Sequence, residues 1–206
     1  MTARVSSIQK IAVMVDEADI DFGGLTSPDG AVTVLFSDIE GSTEMVERLG
    51  DERWVEILRA HNGLVRELLA RFDGIEVKAQ GDGFMLAFQS SRMGLLCAIE
   101  IQRALDAYAR EHPEHAPRVR VGLHSGFAVQ EDSDYFGLNV ILAARIADRA
   151  RGGEILVSQQ LREFARADDQ VDFLEGQELT LKGLAGRHTV YPVAWREPLA
   201  RRSVPG

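Results

Sequence analysis

Apolar residues recur along this chain with two different periods, and the changes from one to the other predict its elements. Ala31 to Ser37 is dense in Val and Phe and reads as a strand. Asp51 to Phe72 places Trp54, Ile57, Leu58, Leu64, Val65, Leu68 and Leu69 at the spacing of an amphipathic helix. Ile75 to Gln80 and Phe84 to Phe88 flank Gly81-Asp82-Gly83, which predicts a β-hairpin. A second helix is expected from Ser91 to about Arg110, and Val119 to Gln130 returns as a strand interrupted by Gly122 and Gly126. Phe136 to Ala150 reads as a helix ending near Gly152-Gly153. A short strand (Glu154 to Val157) and a short helix (Ser158 to Phe164) follow. The remaining strands are expected around Val171 to Leu174, Glu178 to Leu181 and Thr189 to Trp195, with Lys182-Gly183-Leu184-Ala185-Gly186 as the last turn.

The order β-α-β-β-α-β is the split-βαβ arrangement of ferredoxin-like sheets, so the fold class is α+β, with helices and strands added at the C-terminal end. In that topology the first and second strands are parallel, with the third between them. The end of the first strand therefore shares one sheet edge with the hairpin at Gly81-Asp82-Gly83. Along the second strand Ile75, Val77 and Ala79 point one way, and Glu76, Lys78 and Gln80 the other. Helices of this topology cover one face, which leaves Lys78 on an open face that water or a partner must cover. Residues 1–30 read as a leader or linker ending in a turn-rich stretch, and 31–196 as the folded domain with 197–206 as a tail. Within the leader, Ile11 to Val15 fits a short strand or the end of a linking helix, and the pattern does not decide between them.

The chemistry concentrates on the shared edge. Asp38 ends the first apolar run and is followed at once by the small turn Gly41-Ser42-Thr43. Asp82 stands in a second glycine turn between two apolar runs. Hard cations prefer carboxylate oxygens, and backbone N–H groups of a tight turn hold anions. Two such carboxylates suggest a two-metal site for phosphoryl or nucleotidyl transfer.

Composition narrows the setting. With 206 residues and an apolar share of 45%, the chain is long enough for one good core. A net charge of −9 argues against a nucleic-acid or anionic-membrane surface, because both need clustered Lys and Arg. A polyphosphate must then be attracted locally, by metals and a few placed cations. The single cysteine, Cys97, excludes an intramolecular disulfide and suits a reducing compartment; its apolar neighbourhood marks it as core. No apolar run approaches the ~20 residues of a spanning helix, and the amino terminus lacks signal-peptide order, so a cytoplasmic location is expected.

Phe36 to Thr43, Val77 to Gly83, Gly122-Leu123-His124-Ser125-Gly126 and Ala143-Ala144-Arg145 together resemble the class III nucleotidyl cyclase domain, over roughly residues 31 to 195. The resemblance implies an adenylate cyclase that makes cyclic AMP and pyrophosphate from ATP, with two divalent metal ions (Mg²⁺ or Mn²⁺), at the interface of a head-to-tail homodimer. It implies metal binding by Asp38 and Asp82 and by the backbone carbonyl of Ile39, and a phosphate cradle at Gly41, Ser42 and Thr43. Ser42 or Thr43 starting the next helix is the plainer role for that turn. Lys78 falls at the base-reading position where lysine accompanies adenine, and Asp134 at the second base-reading position; as plain structure, Asp134 would cap the next helix. Arg145 matches the transition-state arginine. Lys182 matches a basic position that contacts the triphosphate, with Arg187 a weaker candidate; the ordinary role is an exposed turn lysine. His124 reads as packing.

One position departs from the family pattern. An asparagine that orients the ribose usually stands four residues before the arginine, and here that residue is Ile141. Asn139 is six residues from Arg145, ~600° of helix rotation away, and faces elsewhere. The departure motivates a second reading, a weakly active or inactive cyclase-like module that binds nucleotide. A GTP or dinucleotide cyclase is disfavoured by Lys78 and by the absence of a Gly-Gly-Asp-Glu-Phe motif. The regulatory partner is unknown.

Overall fold

A computed structural model describes residues 6–17, 26–127, 133–165 and 171–196, without the side chains of residues 16–17 and 133–136. Its strands are β1 (Ala31–Ile39), β2 (Ile75–Gln80), β3 (Gly83–Phe88), β4 (Val119–Phe127), β5 (Ile155–Ser158), β6 (Gln177–Leu179) and β7 (His188–Pro192). They form one sheet in the order β2-β3-β1-β4-β5-β7-β6. Both β2 and β1 run antiparallel to β3, so β1 and β2 are parallel with β3 between them, as the split-βαβ reading expects. The helices are α1 (Ser7–Glu17), α2 (Ser42–Leu49), α3 (Asp51–Arg71), α4 (Ser91–Glu111), α5 (Ser133–Ala147) and α6 (Gln159–Phe164). Among the described residues no helix is long and apolar enough to cross a membrane.

Strand alternation divides the core in two. Leu35 and Ile39 of β1, Phe84, Leu86 and Phe88 of β3, and Val119, Val121 and Leu123 of β4 pack against α3 and α4. Helix α4 meets them with Leu95, Ala98, Ile99 and Leu105, a stripe at helical spacing.

The opposite face is not open, which corrects the expectation from the element order. Val32, Val34, Phe36, Met85 and Ala87 on that face are covered by Ile8, Ile11 and Val15 of α1 and by Val140, Ala143, Ala144 and Ala147 of α5. The physical reason for α1 is its apolar stripe: Ile8 and Ile11 are 0% exposed and Val15 4%. For α5 the reason lies in β4. A Cβ on Gly122 would stand 2.2 Å from the backbone N of Ala147, and one on Gly126 would stand 2.2 Å from Asn139 Oδ1. The two glycines let α5 lie flat on the strand.

Strand β2 also departs from simple alternation. Its register against β3 shifts between Glu76 and Lys78, leaving Val77 as the extra residue. Glu76 therefore turns toward α3, where Arg66 grips it at 2.8 Å, while Lys78 pairs with Met85 and shares the α1–α5 face. Helix α5 begins at Ser133 rather than Phe136, and β4 is described to Phe127. Around Val171 to Leu174 no strand forms; Phe173 makes an isolated bridge to Val193.

Candidate active site

Asp38 is the penultimate residue of β1, on the face it shares with Phe36 and Val34. Asp82 sits in the two-residue turn between β2 and β3, where Gly81 supplies the left-handed conformation (φ 64°) that such a turn requires. Because Ser37 pairs with Phe84, the two aspartates come to one sheet edge. Both are buried, with exposures of 4% and 5%.

Each carboxylate has one oxygen taken and one free. Asp38 Oδ2 accepts from Arg120 Nη2 at 2.6 Å, and Asp82 Oδ1 accepts from Ser7 Oγ at 2.7 Å. Among the described residues, Asp38 Oδ1 and Asp82 Oδ2 are buried without a hydrogen-bond partner. Burial, and then the neighbouring Asp82 carboxylate, push Asp38 up to about 6, against the pull of Arg120. Two buried acceptors that repel each other and lack donors fit a divalent cation. Among the described residues no third His, Cys, Asp or Glu joins them, so further ligands would come from carbonyls, water or substrate oxygens.

Directly after β1, Gly41 adopts φ 69° and opens α2, whose first amides belong to Ser42 and Thr43. Ser42 starts the helix, as the plainer reading expects, and among the described residues no side chain caps its end. Ile39 is buried in the α3–α4 core and closes the strand against Val119, with its carbonyl on the path between Asp38 and the turn.

The base-reading candidates and the basic phosphate candidates stand on β2, on α5 and in the segment between β6 and β7. Lys78 is exposed on the α1–α5 face. Asp134 stands in the first turn of α5, and its side chain lies outside the described residues. Arg145, near the end of α5, has Nη1 3.6 Å from Asp148 Oδ2, and its Nε is buried without a partner among the described residues. Lys182 is exposed in the turn after buried Leu181, and Arg187 is tied to Glu178 at 3.0 Å. Among the described residues no hydrogen bond or ion pair joins Lys78, Arg145 or Lys182 to Asp38 or Asp82.

Ile141 is half-buried on α5. Asn139 is fully engaged elsewhere: its Oδ1 lies 3.0 Å from His124 Nε2, and its Nδ2 donates to the Phe127 carbonyl at 3.1 Å. His124 Nδ1 lies 2.8 Å from Ser158 Oγ, and burial pushes the imidazole down to about 4. This buried network ties β4, α5 and β5 together and agrees with a packing role for His124.

Arg120 escaped the sequence reading. Once β1 and β4 are paired antiparallel, Val119, Val121 and Leu123 point into the α3–α4 core, and Arg120 must share Asp38's face. Ending β1 at Ser37 hid that pairing.

Comparison with known proteins places this architecture. Residues 26–194 match the family described as the adenylate and guanylate cyclase catalytic domain. A receptor-type adenylate cyclase of Trypanosoma brucei brucei, GRESAG 4.1, is 29% identical over 80% of this chain and 17% of its own length. Putative adenylate cyclase 3 of Rhizobium meliloti (strain 1021) is 30% identical over 69% of this chain and 24% of its own length. The chain thus spans less than a quarter of the length of these curated relatives. A solved structure of Trypanosoma brucei adenylate cyclases in their monomeric state superposes with a TM-score of 0.68 at 25% identity, covering 86% of this chain and 94% of the other. The seven-stranded mixed sheet with its helices matches the nucleotide cyclase fold of that structure. The chain belongs to the adenylate and guanylate cyclase catalytic domain family.

Proposed function

We propose that this chain is an adenylate cyclase, converting ATP to 3′,5′-cyclic AMP and pyrophosphate in a head-to-tail homodimer. The observation that carries the reading is the pair Asp38 and Asp82, buried side by side with one unpartnered oxygen each. In the reaction the ribose 3′-oxygen bonds to the α-phosphorus as the bond from that phosphorus to the bridging oxygen breaks. Pyrophosphate leaves with the bond's electron pair, and the 3′-hydroxyl proton passes to solvent water. Two divalent ions, Mg²⁺ or Mn²⁺, held by Asp38, Asp82 and the Ile39 carbonyl, would supply charge neutralisation and acidify the 3′-hydroxyl.

The chain's own groups then divide the remaining work. Amides of Gly41, Ser42 and Thr43 at the start of α2 hold phosphate oxygens. Arg120 neutralises Asp38 in the free chain, and where a cation took over that role its guanidinium would be available to the triphosphate. Lys78 and Asp134 read the adenine edge; Lys182 adds charge at the triphosphate. Arg145 stabilises charge at the α-phosphate as pyrophosphate departs. Residues 31–196 form the catalytic unit, and the cytoplasm, which holds ATP and Mg²⁺, is its place of action.

Ile141 favours a second reading, a nucleotide-binding module of low turnover, because Asn139 is held by His124 and Phe127 and cannot replace the missing amide. Incubation with ATP or GTP and Mn²⁺ or Mg²⁺, across protein concentrations, separates the two. Cyclic AMP whose specific activity rises with concentration, and which disappears in Asp38→Ala, supports the shared-site cyclase. Bound nucleotide with no cyclic product under any condition supports the module.

A further inference from the structure

Helix α1 touches both ends of the candidate site at once. Ser7 Oγ donates to Asp82 Oδ1 at 2.7 Å, and a Cβ on Gly83 would stand 2.6 Å from Ser7 Cβ. Ser6 Oγ donates to Asp148 Oδ1 at 3.1 Å, and Gln9 Nε2 to Asp148 Oδ2 at 2.9 Å. That same Oδ2 is the oxygen lying 3.6 Å from Arg145 Nη1. Between these polar contacts, Ile8, Ile11 and Val15 bury against Val34, Phe36, Met85 and Ala87. The first turn of α1 therefore occupies a metal-binding carboxylate and the neighbour of the transition-state arginine, and its apolar stripe seals the sheet face between them.

We propose that α1 is an intrachain cap, competing with a divalent ion at Asp82 and with a second copy of this chain for the sheet face beneath it. The inference rests on reading Asp38 and Asp82 as the cyclase metal site. The cap holds by docking rather than by its own stability, because an 11-residue helix is marginal in isolation. It is therefore the kind of small unit that opens locally while the sheet stays folded. Its departure removes the α1 side of the cover over Val34, Phe36, Met85 and Ala87, and the apolar surface uncovered beside Lys78 and α5 stays in water unless another subunit covers it. A second copy is the occupant because Lys78 and Asp82, assigned above to a site that two protomers share, lie on and beside this face. Closed chains are withdrawn from assembly, so the apparent dimer affinity scales with the open fraction.

The test is Ile8→Asp/Ile11→Asp in the full chain, which removes the apolar docking and leaves the sheet face intact. Sedimentation equilibrium, Mn²⁺ titration calorimetry and hydrogen exchange are measured beside turnover. The expected result is about tenfold tighter self-association, following the rise in open fraction. Mn²⁺ binding strengthens, and the amides of 7–17 lose protection while those of α3 and α4 keep theirs. A freed helix with unchanged association and unchanged Mn²⁺ affinity overturns the proposal. Where the variant also loses protection in α3 and α4, the wild-type chain decides: Mn²⁺ must lower the protection of 7–17, and constant or increased protection overturns the cap. Tighter association without cyclic product from either protein keeps the cap and removes the cyclase reading. Product from both proteins with unchanged association does the reverse.

Discussion

Arg120 and Asp38 are direct cross-strand partners on β4 and β1, joined at 2.6 Å with side-chain exposures of 19% and 5%. Without the guanidinium, two buried carboxylates would face each other unneutralised. Removing it isolates the negative charge, as breaking any buried pair does. Part of the penalty is relieved because Asp38, already raised to about 6, can take up a proton. Arg120→Gln is therefore expected to lose about 2–3 kcal/mol without metal. That corresponds to a melting temperature lower by about 5–10 °C for a chain of this size. Added Mn²⁺ should recover more of this loss than it adds to the wild type. Equal melting temperatures with and without Mn²⁺ would remove the assigned role of Arg120 as counter-charge.

Gly122→Ala places a Cβ 2.2 Å from the backbone N of Ala147 and 2.4 Å from its Cα. Backbone cannot yield as a flexible side chain does, so α5 must lift from β4. The expected cost is about 3 kcal/mol, at the upper end of overpacking. Turnover should fall with stability, since α5 carries Arg145. Thermal denaturation reads the first effect and an assay at 20 °C the second. A variant of wild-type stability would show that α5 does not lie on this strand as described.

The edge that joins Asp38 to Asp82 was legible in the chain because its determinants are local. A glycine turn of the right length fixes the hairpin, and strand order alone then brings β1's end beside it. The cover over the second face was not legible in the same way. Ile8, Ile11 and Val15 make a readable helical stripe, but nothing near them in sequence says which surface they meet. The shift at Val77 carries no glycine or proline to mark it, so strict alternation misplaced Glu76. Arg120 was hidden by a boundary: β1 continues through Ile39, two residues beyond its dense apolar run, because Arg120 and Val119 supply partners there.

His124 is buried neutral between Ser158 and Asn139, with His188 adding a further downward pull on its pKa. The folded imidazole titrates at about 4 instead of 6.5, so between these values the unfolded chain binds more protons. Stability from this group is complete above pH 6.5 and is lost progressively as pH falls toward about 4. Its full span is about 3 kcal/mol. Asp38, raised rather than lowered, acts in the opposite sense over part of the same range, so the comparison must be between wild type and His124→Gln. Urea denaturation from pH 7.5 to 4.5 should show the wild type losing the advantage that the variant never had. Parallel curves would mean that His124 is charged in the folded state.

Lys78 is exposed on the α1–α5 face, where its ammonium can donate to a ring nitrogen of adenine but offers no acceptor to guanine. Lys78→Glu reverses that pattern at an exposed position. The ratio of kcat/KM for ATP over GTP should fall by about tenfold or more, the effect of exchanging one matched hydrogen bond for a mismatch. Product analysis with both nucleotides present decides it. Unchanged preference for ATP would detach base reading from Lys78.

Ile141 stands one helical turn before Arg145 and is half-buried, so its side chain faces broadly the way the arginine does. An amide there would orient the ribose without disturbing Asp38 or Asp82. Ile141→Asn should raise kcat several-fold, because one well-placed hydrogen bond in a transition state contributes on the order of 1–3 kcal/mol. It should also cost stability, about 1 kcal/mol for the buried part of the isoleucine. The variant Asn139→Ala separates orientation from packing: it breaks the His124 network and should lower the melting temperature with no gain in turnover. A faster, slightly less stable Ile141→Asn enzyme identifies the missing amide as the brake on this chain. Equal or lower kcat, with nucleotide affinity intact, would mean that the ribose is oriented by another group and that isoleucine is no handicap.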